Sequence, residues 1–156
     1  MTEVHLRPVT LANYRECLRL RVGEAQKDFV ASNAQSLAEA YVNPTLTPLA
    51  VYDVAARGYE DPPAPMVGFT MYELAAGVGF IARLMIGEES QGKGYGKAAM
   101  REVIRRLWLC PTVEMVATSH RRGNEGAADL YAGLGFVPWQ IGYATPDNEE
   151  VFLRLP

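Results

Sequence analysis

Residues 87–100, GEESQGKGYGKAAM, place four glycines and two lysines at the mouth of a helical pattern, a combination suited to holding phosphate. Gly87, four residues, Gly92 and Lys93 nearly spell the magnesium-dependent nucleotide loop. That loop needs a Ser or Thr hydroxyl next, and Gly94 stands there. The dinucleotide fingerprint GxGxxG fails as well, because Lys97 occupies the third glycine position. What fits is Gln91-x-x-Gly94-x-Gly96, after an apolar strand and before a helix. Glycines let backbone approach a ligand closely, and free amides at the positive end of a helix dipole suit a pyrophosphate without magnesium. Lys93 and Lys97 add charge nearby, whereas Glu88 and Glu89 would repel phosphate and are expected to point away. The competing reading is a strand-to-helix turn that holds nothing.

The elements around this loop follow from hydrophobic periodicity. VHLRPV at the start alternates as a strand, and Thr10 is placed to cap a helix with Leu11, Tyr14 and Leu18 on one side. Residues 24–44 read as one broken or two short helices, interrupted at Ser32-Asn33 and ended before Pro44. Strands are expected at 49–54, 66–72 and 78–86, with residues 57–65 a proline-rich loop and LAAG linking the last two strands of a meander. Met100, Val103, Ile104, Leu107 and Trp108 then recur at helical spacing, and Pro111 closes that helix. A strand at 112–119, a helix at about 125–134 with Ala127, Leu130, Tyr131 and Leu134 as its stripe, and strands at 135–143 and 150–155 complete the chain. The order β-αα-βββ-α-β-α-ββ describes one α+β (mixed α/β) domain over residues 1–156.

Composition narrows the function classes. A net charge of −3 and a pI near 5.4 supply no basic footprint for nucleic acid, and suit a cationic small molecule. Cys17 and Cys110 form no CxxC, His5 and His120 have no partners at ligand spacing, and no metal site is expected. No apolar run approaches a membrane span, and the first residues lack a secretory pattern, so a cytoplasmic protein with reduced thiols is expected.

Gln91, Gly94 and Gly96 in LMIGEESQGKGYGKAAM resemble the acetyl-CoA pyrophosphate loop, Q/R-x-x-G-x-G/A, of GNAT-type N-acetyltransferases. A second signature of that family is matched by NEGAADLYAGLGF, at Asn124, Ala127, Leu130, Tyr131, Gly135 and Phe136. The order of elements agrees with the family's fold, a mostly antiparallel twisted sheet flanked by helices. QKDFVASNAQSLAEAYV together with QGKGYGKAAM is similar, less specifically, to the spermine/spermidine acetyltransferase branch.

The resemblance implies roles for individual residues. Backbone groups of Leu84, Met85 and Ile86 would pair with the pantetheine arm along an edge left open by a splayed neighbour. Gln91, Gly92, Lys93, Gly94, Tyr95, Gly96 and Lys97 would hold the pyrophosphate, and Asn124 would contact the coenzyme. Tyr131 would give a proton to the departing thiolate, the alternative being a core tyrosine. Glu24, Asp28 or Glu114 would accept the amine's proton, with no choice among them, and Glu24, Asp28 and Glu39 would line an acceptor channel. The implied acceptor is a small primary amine, a polyamine first, with a protein N-terminus or antibiotic amine as alternative and a non-catalytic CoA-binding module as the rival class. Homodimers, common in the family, are a further implied partner.

Overall fold

The computed structural model describes residues 2–55, 65–140 and 149–156. Seven strands form one sheet in the order β1-β2-β3-β4-β5-β7-β6. They are β1 (Val4–Pro8), β2 (Leu46–Asp53), β3 (Met66–Ala75), β4 (Val78–Ile86), β5 (Met115–Arg121), β6 (Val137–Pro138) and β7 (Glu150–Arg154). All neighbours are antiparallel except β4 and β5, which run parallel. The helices are α1 (Tyr14–Arg19), α2 (Asn33–Val42), α3 (Tyr95–Leu109) and α4 (Glu125–Gly133), with 3-10 turns at Glu24–Gln26 and Glu88–Ser90. The element order is the one expected from the sequence.

Boundaries moved where side chains compete with the backbone. The first helix starts at Tyr14, not after Thr10: Asn13 Oδ1 accepts from the Thr10 amide and Thr10 Oγ1 from the Ala12 amide. These local bonds hold a turn in place of a first helical turn and leave Leu11 exposed. β2 begins earlier than expected and includes Pro48, which is tolerated because β1 pairs no further than Leu49. Ala76 and Gly77, with φ of 51° and 80°, turn β3 into β4 as a two-residue hairpin. β5 starts at Met115 after a turn closed by Val113 N–H to the Cys110 carbonyl. β6 keeps two residues of the expected 135–143 strand; residues 141–143 lie outside the described residues, as does the expected loop at 57–65 apart from Pro65. Trp108, expected in the apolar stripe of α3, is half exposed at the stripe's border.

Two apolar clusters hold helices to the sheet. The larger packs Ala99, Met100, Val103 and Leu107 of α3 and Tyr131 of α4 against Leu6, Val51, Ile81 and Val116. The smaller, on the opposite face, gathers Cys17, Ala50, Tyr52, Phe69, Met71 and Met85 beneath α1 and α2.

Candidate active site

β4 and β5 pair only from Val78↔Met115 to Ile81↔Thr118. Beyond that point β5 continues to Arg121 against β7 and β4 continues to Ile86 against β3, so the two strands diverge and open a cleft. The divergence coincides with a bulge: Met71 faces Arg83 and Tyr72 faces Ile81, leaving Ala82 as the extra residue. The bulge inverts the strand's faces, so Ile81 points to the larger cluster while Met85 points to the smaller. The Gly87 amide bonds to Val67 on β3, so alternation turns the backbone of Met85 toward β3 and that of Leu84 and Ile86 toward the gap. Of the three strand residues expected to meet an extended ligand, Leu84 and Ile86 offer their backbone and Met85 does not.

At the far end of this open edge lies the glycine loop. Gly92 and Gly94 adopt φ of 77° and 89°, the left-handed region that disfavours side chains, and Gly94 is the N-cap of α3. No side chain caps that helix, and its first backbone bond is Ala98 N–H to the Gly94 carbonyl, so the amides of Tyr95, Gly96 and Lys97 emerge from its end. The Gln91 amide nitrogen donates to the Ile86 carbonyl at 2.9 Å and to Gln26 Oε1 at 2.8 Å, so this side chain braces the loop from behind. Thr2 Oγ1 donates to the Lys93 carbonyl at 2.6 Å, and the Tyr95 phenol donates to Asp53 at 2.8 Å. Leu84, Met85, Ile86, Gln91, Gly92, Gly94, Tyr95, Gly96 and Asn124 all line one cavity of about 990 Å³; Lys93 and Lys97 stay outside its wall, as do Glu88 and Glu89.

Tyr131 reaches the same cavity from α4, where Asn124 Oδ1 caps the helix by accepting from Ala127 N–H at 3.2 Å. The tyrosine is 6% exposed, its ring 5.8 Å from Phe136 and 6.3 Å from His120. It is buried in the core and also lines the cavity. Burial pushes its pKa up to about 12, with the neighbouring Thr118 hydroxyl pulling down and the Glu150 carboxylate pushing up. The phenol therefore keeps its proton at neutral pH.

The other wall is built from the 22–35 segment, β4 and β7. Asp28 lines it, whereas Glu24 pairs with Lys27 away from the wall and Glu39 binds the Arg83 guanidinium at 2.9 Å. Glu114 falls at the opposite end of β5, beside Gly77, and is removed from the cavity altogether. Phe80 and Phe152, 6.1 Å apart across β5, with Ser119, His120 and Glu150, are cavity residues that the sequence did not reveal. They come from strands whose neighbours are set by the sheet, and no local spacing marks them. Among the described residues no His, Cys, Asp and Glu side chains assemble into a group that could hold a metal, and no described helix is long and apolar enough to cross a membrane.

This architecture is shared with solved structures. Spermidine N-acetyltransferase from Vibrio cholerae, solved with CoA and spermine, superposes with a TM-score of 0.69 at 14% identity, over 97% of this chain and 93% of that one. The ribosomal-protein-S18-alanine N-acetyltransferase from Escherichia coli gives 0.70 at 17% identity, over 98% and 93%. AAC(6')-Ib in complex with parmomycin and acetyl-CoA gives 0.74 at 19% identity, also over 98% and 93%. At such identities the likeness shows the fold, and no curated protein matches the sequence. Residues 25–136, from the 3-10 turn at Gln26 through the glycine loop to the end of the Tyr131 helix, match the Acetyltransferase (GNAT) family, and the chain belongs to that family.

Proposed function

We propose that this acetyltransferase transfers the acetyl group of acetyl-CoA directly to the primary amine of a small cationic acceptor, a polyamine first. The observation that carries the reading is the parted β4–β5 pair, with free amides at one end of the cleft and the buried Tyr131 in the wall of the same cavity. The residues present fit the cosubstrate: an unpaired strand edge suits a chain of amides, and the uncapped start of α3 suits a diphosphate. Acetyl-CoA supplies an activated thioester. Leu84 and Ile86 would hold its arm through backbone bonds, and the Asn124 amide group, whose oxygen is spent on the helix cap, keeps two N–H donors for it. Tyr131 would give its proton to the sulfur as the amine attacks.

Charge around the acceptor wall supports a cation. The three cationic side chains there are paired: Lys27 with Glu24, Arg83 with Glu39, and Arg121 with Glu149 and Glu150. Asp28 has no ion-pair partner among the described residues and remains to meet an ammonium. Glu150 joins it as a candidate to accept the amine's surplus proton through water, since its charge is felt at Tyr131. The test is thiol release from acetyl-CoA with spermidine, spermine, an aminoglycoside, amino acids and peptides as acceptors. Highest kcat/KM with a polyamine is expected. Acetylation of peptides alone would discard the polyamine, and CoA binding without turnover of any amine would leave a binding module.

A further inference from the structure

Of the three paired cations on the acceptor wall, Arg83 is held differently from the other two. The pairs of Lys27 with Glu24 and of Arg121 with Glu149 lie at the surface, where water screens them. The Arg83 side chain is 26% exposed and meets Glu39 of α2 at 2.9 Å. It lies on β4 just past Ile81, the last residue paired with β5, and lines the cavity there. Two residues before Met85 on the same strand, it points to the face covered by α1 and α2. The pair is supported from both sides. Arg83 Nη1 donates to the carbonyl of the bulge residue Ala82 at 3.0 Å, and Gln35 Nε2 donates to the second Glu39 oxygen at 3.1 Å. Arg83 Nε is buried with no hydrogen-bond partner among the described residues, so the printed ion pair with Glu39 is what offsets the guanidinium charge. Glu39 itself is not part of the cavity wall.

We propose that Glu39 sets the charge of the acceptor by neutralising Arg83: with the pair intact the wall admits an ammonium, and with Glu39 removed the same wall takes a carboxylate. This rests on the cationic acceptor of the proposed function and names what enforces it. A guanidinium is a fork of donors matched to a carboxylate, always charged at neutral pH. Left without Glu39, it would repel the far ammonium of a polyamine and offer its fork to any acidic group that the acceptor carried. Joined to Glu39 it presents no net charge, and Asp28 then gives the wall its sign. Glu39 is a positioning residue in this account, because it acts on the acceptor only through Arg83.

The test measures acceptor kinetics at saturating acetyl-CoA and 50 mM salt with two amines: spermidine, and 4-aminobutyrate, which sets a carboxylate near where the polyamine has its second nitrogen. Glu39→Gln should raise the spermidine KM about tenfold and raise kcat/KM for 4-aminobutyrate by about as much, the size of one like-charge contact in a partly buried wall. CoA affinity should stay within about twofold. Adding Arg83→Met should bring both amines back to within about threefold of the parent, because the repulsion then has no source. Glu24→Gln changes the net charge equally and should move neither by more than about twofold. Should Glu39→Gln melt early, Arg83→Met alone decides: it leaves the Glu39 carboxylate unspent, so the spermidine KM should not rise, and a rise would count against the proposal. A parent-like spermidine KM in Glu39→Gln, a loss that Arg83→Met does not rescue, or no gain with 4-aminobutyrate would overturn it while polyamine turnover by the parent still stood. A parent that acetylates no polyamine would remove the cationic acceptor, and this inference with it.

Discussion

The two faces of the sheet are built to different standards. One is covered by the regular helices α3 and α4, whose apolar stripes fill the larger cluster around four side chains at 0% exposure on α3 alone. The other is covered by a six-residue helix, a 3-10 turn and α2, over a smaller cluster. The groups that the proposed transfer would need held in place, the glycine loop and Tyr131, are attached to the first face. The groups that would choose an acceptor, Asp28, Phe80 and Arg83, look toward the second. Dense packing fixes geometry, and thinner packing leaves a wall that can be altered at little cost to the fold.

Breaking the first face should therefore cost chemistry, and Tyr131→Phe is expected to have the largest effect. It keeps the ring in its aromatic contacts with Phe136 and His120 and removes only the hydroxyl. Turnover should fall between about tenfold and a thousandfold, as for a lost general acid, with CoA affinity intact. Steady-state kinetics beside a CoA titration in excess chelator checks both halves. A parent-like kcat would return Tyr131 to the core.

Alkaline titration sets the two faces side by side. Burial raises the Tyr131 phenol from 10.0 to about 12 on one face and the Cys17 thiol from 9.0 to about 11 on the other, with Glu16 adding to the latter. Both groups hold their protons more tightly folded than unfolded. Their contribution is whole below pH 9, then is lost as pH rises, through about 11 for Cys17 and about 12 for Tyr131. Each two-unit shift corresponds to about 3 kcal/mol. Urea midpoints between pH 8.5 and 11.5 should decline in the parent. Cys17→Ala should flatten the early part of that decline and Tyr131→Phe the later part, and a parent curve without slope would contradict both.

The same contrast explains what the sequence disclosed. The glycine loop and the start of α3 present backbone that is contiguous in the chain, so residue types at fixed spacing marked where they line the cavity. Tyr131 and Asn124 were legible for the same reason, lying within one helix and its cap. Leu84 and Ile86 could not be separated from Met85, because a one-residue bulge at Ala82 decides which backbone faces the gap and leaves no mark in composition. Glu114 stayed among three open candidates because strand spacing does not say which end meets the cleft; it precedes β5 beside Gly77, where β4 and β5 are still paired. Ser119, Phe152 and Glu150 line the same cavity only because β5 pairs with β7, a contact between segments about thirty residues apart.

Gly94→Ala sharpens the loop's half of the comparison. Its φ of 89° disfavours any side chain, and a Cβ would stand 3.3 Å from Thr2 Oγ1, the group that braces the loop. The left-handed conformation costs about 1–2 kcal/mol for an L-residue, so CoA should bind roughly tenfold more weakly as the loop relaxes. kcat at saturation should hold, because Tyr131 is untouched. Calorimetric titration in chelator decides, and unchanged affinity would mean that the loop tolerates the residue without moving.

On the second face the effects should be smaller and confined to the acceptor. Asp28→Asn removes the wall carboxylate that lacks an ion-pair partner among the described residues, and an exposed charge contact of this kind is worth up to about 1 kcal/mol. KM for a polyamine should rise about threefold to fivefold at 50 mM salt and less at 500 mM, with kcat and CoA affinity unchanged. Glu24→Gln makes the control. That carboxylate is 85% exposed, turned to Lys27 and absent from the wall, so the same kinetic measurement should move by less than about a factor of two. Charge is equal in the two variants and only position differs. If Glu24→Gln shifted KM as far as Asp28→Asn, the acceptor would be sensing the net charge of the segment, and the wall drawn by the structure would not be the surface that selects it.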